Sequence, residues 1–194
     1  MYARALSTVL CPLSTTVSQI VIVSGPSGAG KSSVCEALCE RYDRTVHLET
    51  DDVFGWMRMG YVQPWKAGSA EQNHMISRAC ARAATAFAQR GYGVFIDGVI
   101  GPHLLPDYLE ELRAAGVPVH YVVLLPPSHV AEGRARERGE RVMGPTELFE
   151  KVQTMFDGEL PGWSMDNSGL TADQTADRVM EACGRGEALV WGAG

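Results

Sequence analysis

Short apolar runs alternate along this chain with longer stretches of helical spacing. Ile20-Val21-Ile22-Val23 is apolar without interruption, as a strand buried on both faces should be. Residues 32–42 place Val34, Ala37 and Leu38 at helical spacing, and 44–48 read as a second short strand. Residues 71–90 form a long alanine-rich helix with Ile76, Cys80, Ala83 and Phe87 along one face and Gly91 as its stop. A third strand, 92–96, is followed by a helix over 106–115 and a fourth strand over 118–125. Pro126-Pro127-Ser128 opens the next helix, and 146–156 is helical again, with Leu148, Phe149, Val152 and Met155 turned inward. A short fifth strand, 163–166, precedes a final helix announced by the capping box Thr171-Ala172-Asp173-Gln174. Five strands alternating with helices predict an α/β fold of three layers, a five-stranded parallel sheet covered on both faces.

The first strand runs into Gly25-Pro26-Ser27-Gly28-Ala29-Gly30-Lys31-Ser32, with Ser33 beyond it. The spacing G-x-x-x-x-G-K-[ST], after a strand and before a helix, lets successive backbone N–H groups curl around a phosphate. The lysine then reaches the β/γ oxygens and the hydroxyl ligates Mg²⁺. The second strand delivers Asp51 and Asp52 at its C-terminal end, where open α/β sheets place their ligands. One of this pair is expected to be catalytic or metal-linked, and the residue pattern alone leaves the choice open. Asp97, at the tip of the third strand, is expected to orient Mg²⁺ through water or to hold an acceptor.

With 194 residues the chain suits one domain: a leader over 1–18, a folded unit over 19–184 and a tail over 185–194. The leader does not read as a signal peptide, because Ser7, Thr8 and Pro12 break its apolar run. A net charge of −6 argues against a nucleic-acid surface, and no run is long enough to span a bilayer. The 5 cysteines form no C-x-x-C pair, so reduced thiols in a cytoplasmic protein are expected, acting as small core hydrophobes.

The remaining signals concern what the site would hold. Phe54, Trp56, Tyr61 and Trp65 are either a flap over an acceptor or part of the core. Arg134, Arg138 and Arg141 follow the fourth strand, with Gly139 and Gly144 nearby, and suit a mobile arginine-bearing lid for phosphoryl transfer. His74 reads as a solvated or capping histidine, and His120 as a satisfied core or sheet-face one. Between Asp51 and Asp97 the cations are only Arg58, Lys66, Arg78, Arg82 and Arg90, which favours an uncharged acceptor hydroxyl.

On the loop at 25–32, the Asp51-Asp52 pair, Asp97-Gly98, the three arginines and Asp166-Asn167-Ser168-Gly169-Leu170-Thr171, the chain resembles the small P-loop kinases over about residues 19 to 183. The nearest branches are chloramphenicol phosphotransferase, the zeta-toxin kinases and nucleoside kinases. That resemblance implies strand order 2-3-1-4-5, ATP and Mg²⁺ as cofactors, and a last loop beside the adenine. It also implies lid arginines on the phosphates and an aspartate after strand two as the base, Asp51 by one alignment and Asp52 by another. The N-K-x-D of GTPases is absent. The expected activity is transfer of the γ-phosphoryl group of ATP to a hydroxyl of an antibiotic- or nucleoside-like molecule. Lys31, Asp51 or Asp52, and Arg138 would carry the chemistry, and Phe54, Trp56, Tyr61, Trp65 and Asp97 would line the acceptor. A nucleotide-dependent switch without acceptor and a toxin-like nucleotide-sugar kinase stay open, as does a homodimer.

Overall fold

The computed structural model describes residues 18–137, 152 and 154–192. Its elements run β1 Ile20–Ser24, α1 Lys31–Cys39, β2 Thr45–Glu49, α2 Thr50–Gly55, α3 Ala70–Ala88, β3 Gly93–Asp97, α4 Leu105–Leu112, β4 Val119–Leu124, α5 Ser128–Glu137, β5 Trp163–Met165, α6 Ala172–Gly184 and β6 Leu189–Trp191. The leader up to residue 17 and most of the helix expected over 146–156 lie outside the described residues.

The sheet order is β2-β3-β1-β4-β5, all parallel, as the resemblance implied. A sixth strand modifies the five-stranded expectation. β6 comes from the stretch after Gly184 and pairs antiparallel with the start of β4, Val119 opposite Trp191 and His120 opposite Leu189. β5 takes the other half of the same β4 edge, from Val122 to Leu124.

Side chains alternate across the sheet and divide the core in two. Ile20, Ile22, Val94, Ile96, Val119, Tyr121 and Val123 pack against α3 and α4. Val21, Val23, Phe95, Val122 and Leu124 pack against α1 and α6. β1 is buried along its whole length, which is why its sequence is apolar up to the terminal Ser24. α6 begins with the expected capping box, the Thr171 hydroxyl accepting from Gln174 N while the Gln174 side chain accepts from Thr171 N. Cys35, Cys39, Cys80 and Cys183 are unpaired thiols, and burial pushes Cys80 up to about 11 and Cys183 up to about 12. No helix among the described residues is long and apolar enough to cross a membrane.

In register, Val23 of β1 and Glu49 of β2 both lie opposite Asp97 of β3. Three strands therefore end at one level, and the segments that follow them meet above the carboxyl edge of the sheet.

Candidate functional site

The loop after β1 is shaped by where it must fit. Gly28 has φ +77°, and a Cβ there would lie 2.0 Å from the Ala131 carbonyl oxygen of α5, so only glycine lets the loop close down on that helix. The turn ends at Gly30, the N-cap of α1, so Lys31 and Ser32 open the helix with its N-terminal partial charge behind them. Lys31 Nζ donates to Pro26 O at 3.0 Å, across the mouth of the loop. Asn167, in the loop after β5, is 3% exposed and donates from Nδ2 to Ala29 O at 2.9 Å. Its Oδ1 is buried without a partner among the described residues. The expectation gave Asn167 no role of its own, since a residue 138 positions away leaves no local sign of contact with Ala29.

Arg134 stands beside the loop after β1, its Nη1 4.0 Å from where a Cβ on Gly30 would lie. Its Nη2 donates to the carbonyls of Asn167 (3.2 Å) and Ser168 (3.0 Å), so its guanidinium ties α5 to the loop after β5. Arg138 and Arg141, the other lid arginines, lie outside the described residues, and with them the mobile lid.

Asp97 is 4% exposed at the end of β3. Its Oδ2 is 3.4 Å from His47 Nε2, an ion-pair contact whose alignment makes no hydrogen bond. Burial pushes this carboxyl up, but His47, the Ser32 hydroxyl and Lys31 outweigh it and hold Asp97 below its ordinary value. A buried, ionised oxygen without a donor, beside a serine hydroxyl, suits a hydrated Mg²⁺. That ion keeps most of its waters and needs few protein ligands. Among the described residues no three His, Cys, Asp or Glu side chains gather into a metal cage.

α2 follows β2 without a loop. Thr50, its first residue, is buried against the backbone after β3, where a Cβ on Gly98 would meet Thr50 Oγ1 at 2.2 Å. That close approach fixes the start of the helix, and with it the direction of the aspartates. Adjacent helical residues point about 100° apart. Asp51 lines the cavity above the sheet; Asp52 does not.

This cavity, about 1040 Å³, is shared by both halves of the site. Ser27, Gly28, Gly30, Lys31, Ser32 and Asp97 line one end, and Asp51, Phe54, Tyr61 and Trp65 line the other. Gly25, Pro26, Ala29 and Ser33 are not on its wall; the first three are buried parts of the loop and Ser33 is exposed on α1. Trp56, expected in the acceptor wall, is 69% exposed and outside the lining, because the turn that ends α2 points it away. The aromatic stretch is thus divided: Phe54 and Tyr61 meet edge to face at 6.4 Å inside, and Trp56 is outside.

Both histidines sit in the surroundings expected of them, His74 half-exposed and His120 buried in β4. His74 Nδ1 is 2.5 Å from Asp107 Oδ2, and His74 lines the acceptor end. Asp107 also takes Arg78 Nε at 3.2 Å. His120 is buried as expected, but its Nδ1 has no partner among the described residues, and burial lowers its pKa.

Comparison with known proteins agrees with this geometry. A family described as an AAA domain matches residues 20–158. No curated protein matches the chain. Among solved structures, a sugar kinase from Janibacter sp. HTCC2649 is 18% identical with a TM-score of 0.68, covering 86% of this chain and 94% of its own. The tunicamycin resistance protein of Deinococcus radiodurans is 22% identical with a TM-score of 0.64, covering 88% and 97%. The Mycobacterium tuberculosis APS kinase, solved with AMPPNP and APS, is 17% identical with a TM-score of 0.62, covering 86% and 97%. The fold is that of the small P-loop kinases, as the sequence resemblance implied.

Proposed function

The chain belongs to the AAA domain family, and from that footing we propose that it is a phosphotransferase, moving the γ-phosphoryl group of ATP to a hydroxyl of a small molecule. One observation carries the reading: Lys31 and Ser32 at one end and Asp51 at the other line a single cavity above the carboxyl edge of the sheet.

When bound, MgATP supplies the phosphoryl group; the rest of the work belongs to the chain's own residues. The backbone N–H groups that the loop at 25–32 offers, with Lys31, would hold the β- and γ-phosphates, and Ser32 would ligate Mg²⁺ with Asp97 orienting its waters. Asp51 accepts the acceptor's hydroxyl proton as the oxygen attacks. The aromatic rings of Phe54, Tyr61 and Trp65 exclude water from the acceptor's side, which strengthens every charge interaction within.

Acceptor-dependent release of ADP, screened over a panel of hydroxyl compounds, tests the proposal. Lys31→Ala should abolish transfer. Asp51→Asn should lower kcat by about 10²–10⁴-fold while ATP still binds, and Asp52→Asn should leave the rate near that of the parent. Undiminished transfer by Lys31→Ala would sink the proposal, and loss on Asp52→Asn with none on Asp51→Asn would reassign the base.

A further inference from the structure

The acceptor end of the cavity has a wall that the transfer reaction itself does not require. Between α2 and α3 the chain runs through 56–69 without regular structure, yet it is firmly fastened. Gln72, 8% exposed on α3, accepts from Val62 N at 2.8 Å and donates to Val62 O at 2.7 Å, satisfying both backbone groups as a neighbouring strand would. Ser69 Oγ and Asn73 Nδ2 both donate to Pro64 O, at 2.7 and 2.8 Å. The backbone at Val62 and Pro64 is thereby preorganised before a ligand arrives.

What the segment presents to the cavity is positive charge. Arg58 and Lys66 line the cavity, and among the described residues neither has an ion-pair partner. Several arginines away from the cavity are matched with carboxylates, Arg41 with Asp173 and Asp177, Arg82 with Glu111 and Arg136 with Glu132, while Arg44 lies over the Tyr92 ring and Arg90 and Arg113 have no carboxylate among the described residues. What sets Arg58 and Lys66 apart is that both are on the cavity wall. Two further polar groups accompany them. Asn73 lines the same end, and its Oδ1 is buried without a donor; because Nδ2 is committed to Pro64 O, the amide cannot reverse to hide it. On His74, the Asp107 carboxylate can only accept, so Nδ1 carries the proton and Nε2 is the ring's remaining polar atom.

We infer that this wall is an anion subsite, and that the acceptor is a hydroxyl compound carrying a carboxylate or phosphate group, gripped by Arg58 and Lys66 with His74 and Asn73 taking its other polar atoms. The inference deepens the kinase reading and rests on it for the word acceptor. It revises the expectation of an uncharged acceptor. That expectation weighed how few cations the sequence supplies between Asp51 and Asp97, whereas the fold collects two of them on a single wall. The anion and the reacting hydroxyl occupy opposite ends of the molecule, because Asp51 and the donor phosphates repel negative charge at theirs.

Inorganic phosphate is the first probe, titrated by calorimetry into the full chain saturated with Mg²⁺ and AMPPNP so that the loop at 25–32 is already filled. Saturable binding is expected, weakened at least tenfold in the double variant Arg58→Gln with Lys66→Gln and unaltered in Arg90→Gln, an exposed arginine off the cavity wall. Matched compounds on one skeleton follow in the ADP-release assay: glucose, gluconate and glucose 6-phosphate, and adenosine with its 5′-monophosphate. An anionic member should be used at a KM at least tenfold below its neutral counterpart, carboxylate and phosphate arms deciding between the two anions. The double variant and His74→Ala should raise that KM about tenfold and change kcat less than threefold. Phosphate binding that is absent, or indifferent to the double variant, overturns the subsite whatever the kinase result. A neutral compound preferred over its anionic partner overturns it too, and leaves the kinase reading standing. Phosphate binding that behaves as expected while Lys31→Ala transfers normally overturns the kinase reading and leaves the subsite.

Discussion

Asp51 and Asp52 differ by one position and stand in different surroundings. Two residues at the head of α2 diverge by about 100°, and Thr50, wedged against Gly98, sets the helix phase that turns Asp51 to the cavity. The identity of both aspartates was legible in the sequence; the phase was not, because it depends on a contact between the ends of two strands that are far apart in the chain. Asp107 was illegible for a similar reason, since its partner His74 lies 33 residues away. Burial pushes Asp107 up, but His74 and Arg78 prevail and hold it below its ordinary value. A depressed folded value contributes stability that is present above the unfolded pKa of about 4 and is lost as pH falls through the folded one. The urea midpoint of Asp107→Asn should therefore sit below that of the parent by a steady gap above about pH 5, and the gap should close as the pH drops beneath about 4. A gap that widened in acid would show that Asp107 is not held ionised by these partners.

Among the elements, the buried strands and the long helix α3 were readable because each repeats one simple pattern. β1 is apolar at every position except its terminal Ser24, and α3 carries its buried residues on one face from Ile76 through Ala84. The segment 56–69 was not readable, because what shapes it is a single glutamine on the helix that follows. Gln72→Ala tests that dependence. Removing the carboxamide leaves Val62 N and O without their partner, which should cost about 1–3 kcal/mol of stability. Measured separately, ATP affinity should be unchanged and acceptor KM should rise, since the loose segment carries Arg58 and Lys66 and contributes to the acceptor end of the cavity. Equal losses at both substrates would mean that Gln72 supports the whole domain rather than one wall.

For the molecule as a whole, the three layers follow from alternation, the strand order from the family resemblance, and the donor end of the cavity from one contiguous motif. The acceptor end is assembled from α2, α3, the segment between them and the residues after β3, so no single stretch announces it. β6 escaped notice as well: three residues are too few to show a period, and Leu189–Trp191 follow a glycine-broken turn. Its pairing nevertheless matters to the sheet. Cutting the chain after Gly184 would retain every residue of the cavity wall and uncover Val119 and His120 on the edge of β4. Such a chain should bind nucleotide as before but self-associate with rising concentration, visible by light scattering, because an unpaired strand edge is a template for another.

That edge also gives the protein a timetable. β4 is synthesised before the segments that cover its two halves, and β6 is the last of the described strands to leave the ribosome. Through the interval between them, the strand beside β1 at the centre of the sheet has one flank open for half its length, so the nascent chain is most exposed to misassembly after its nucleotide loop is already complete.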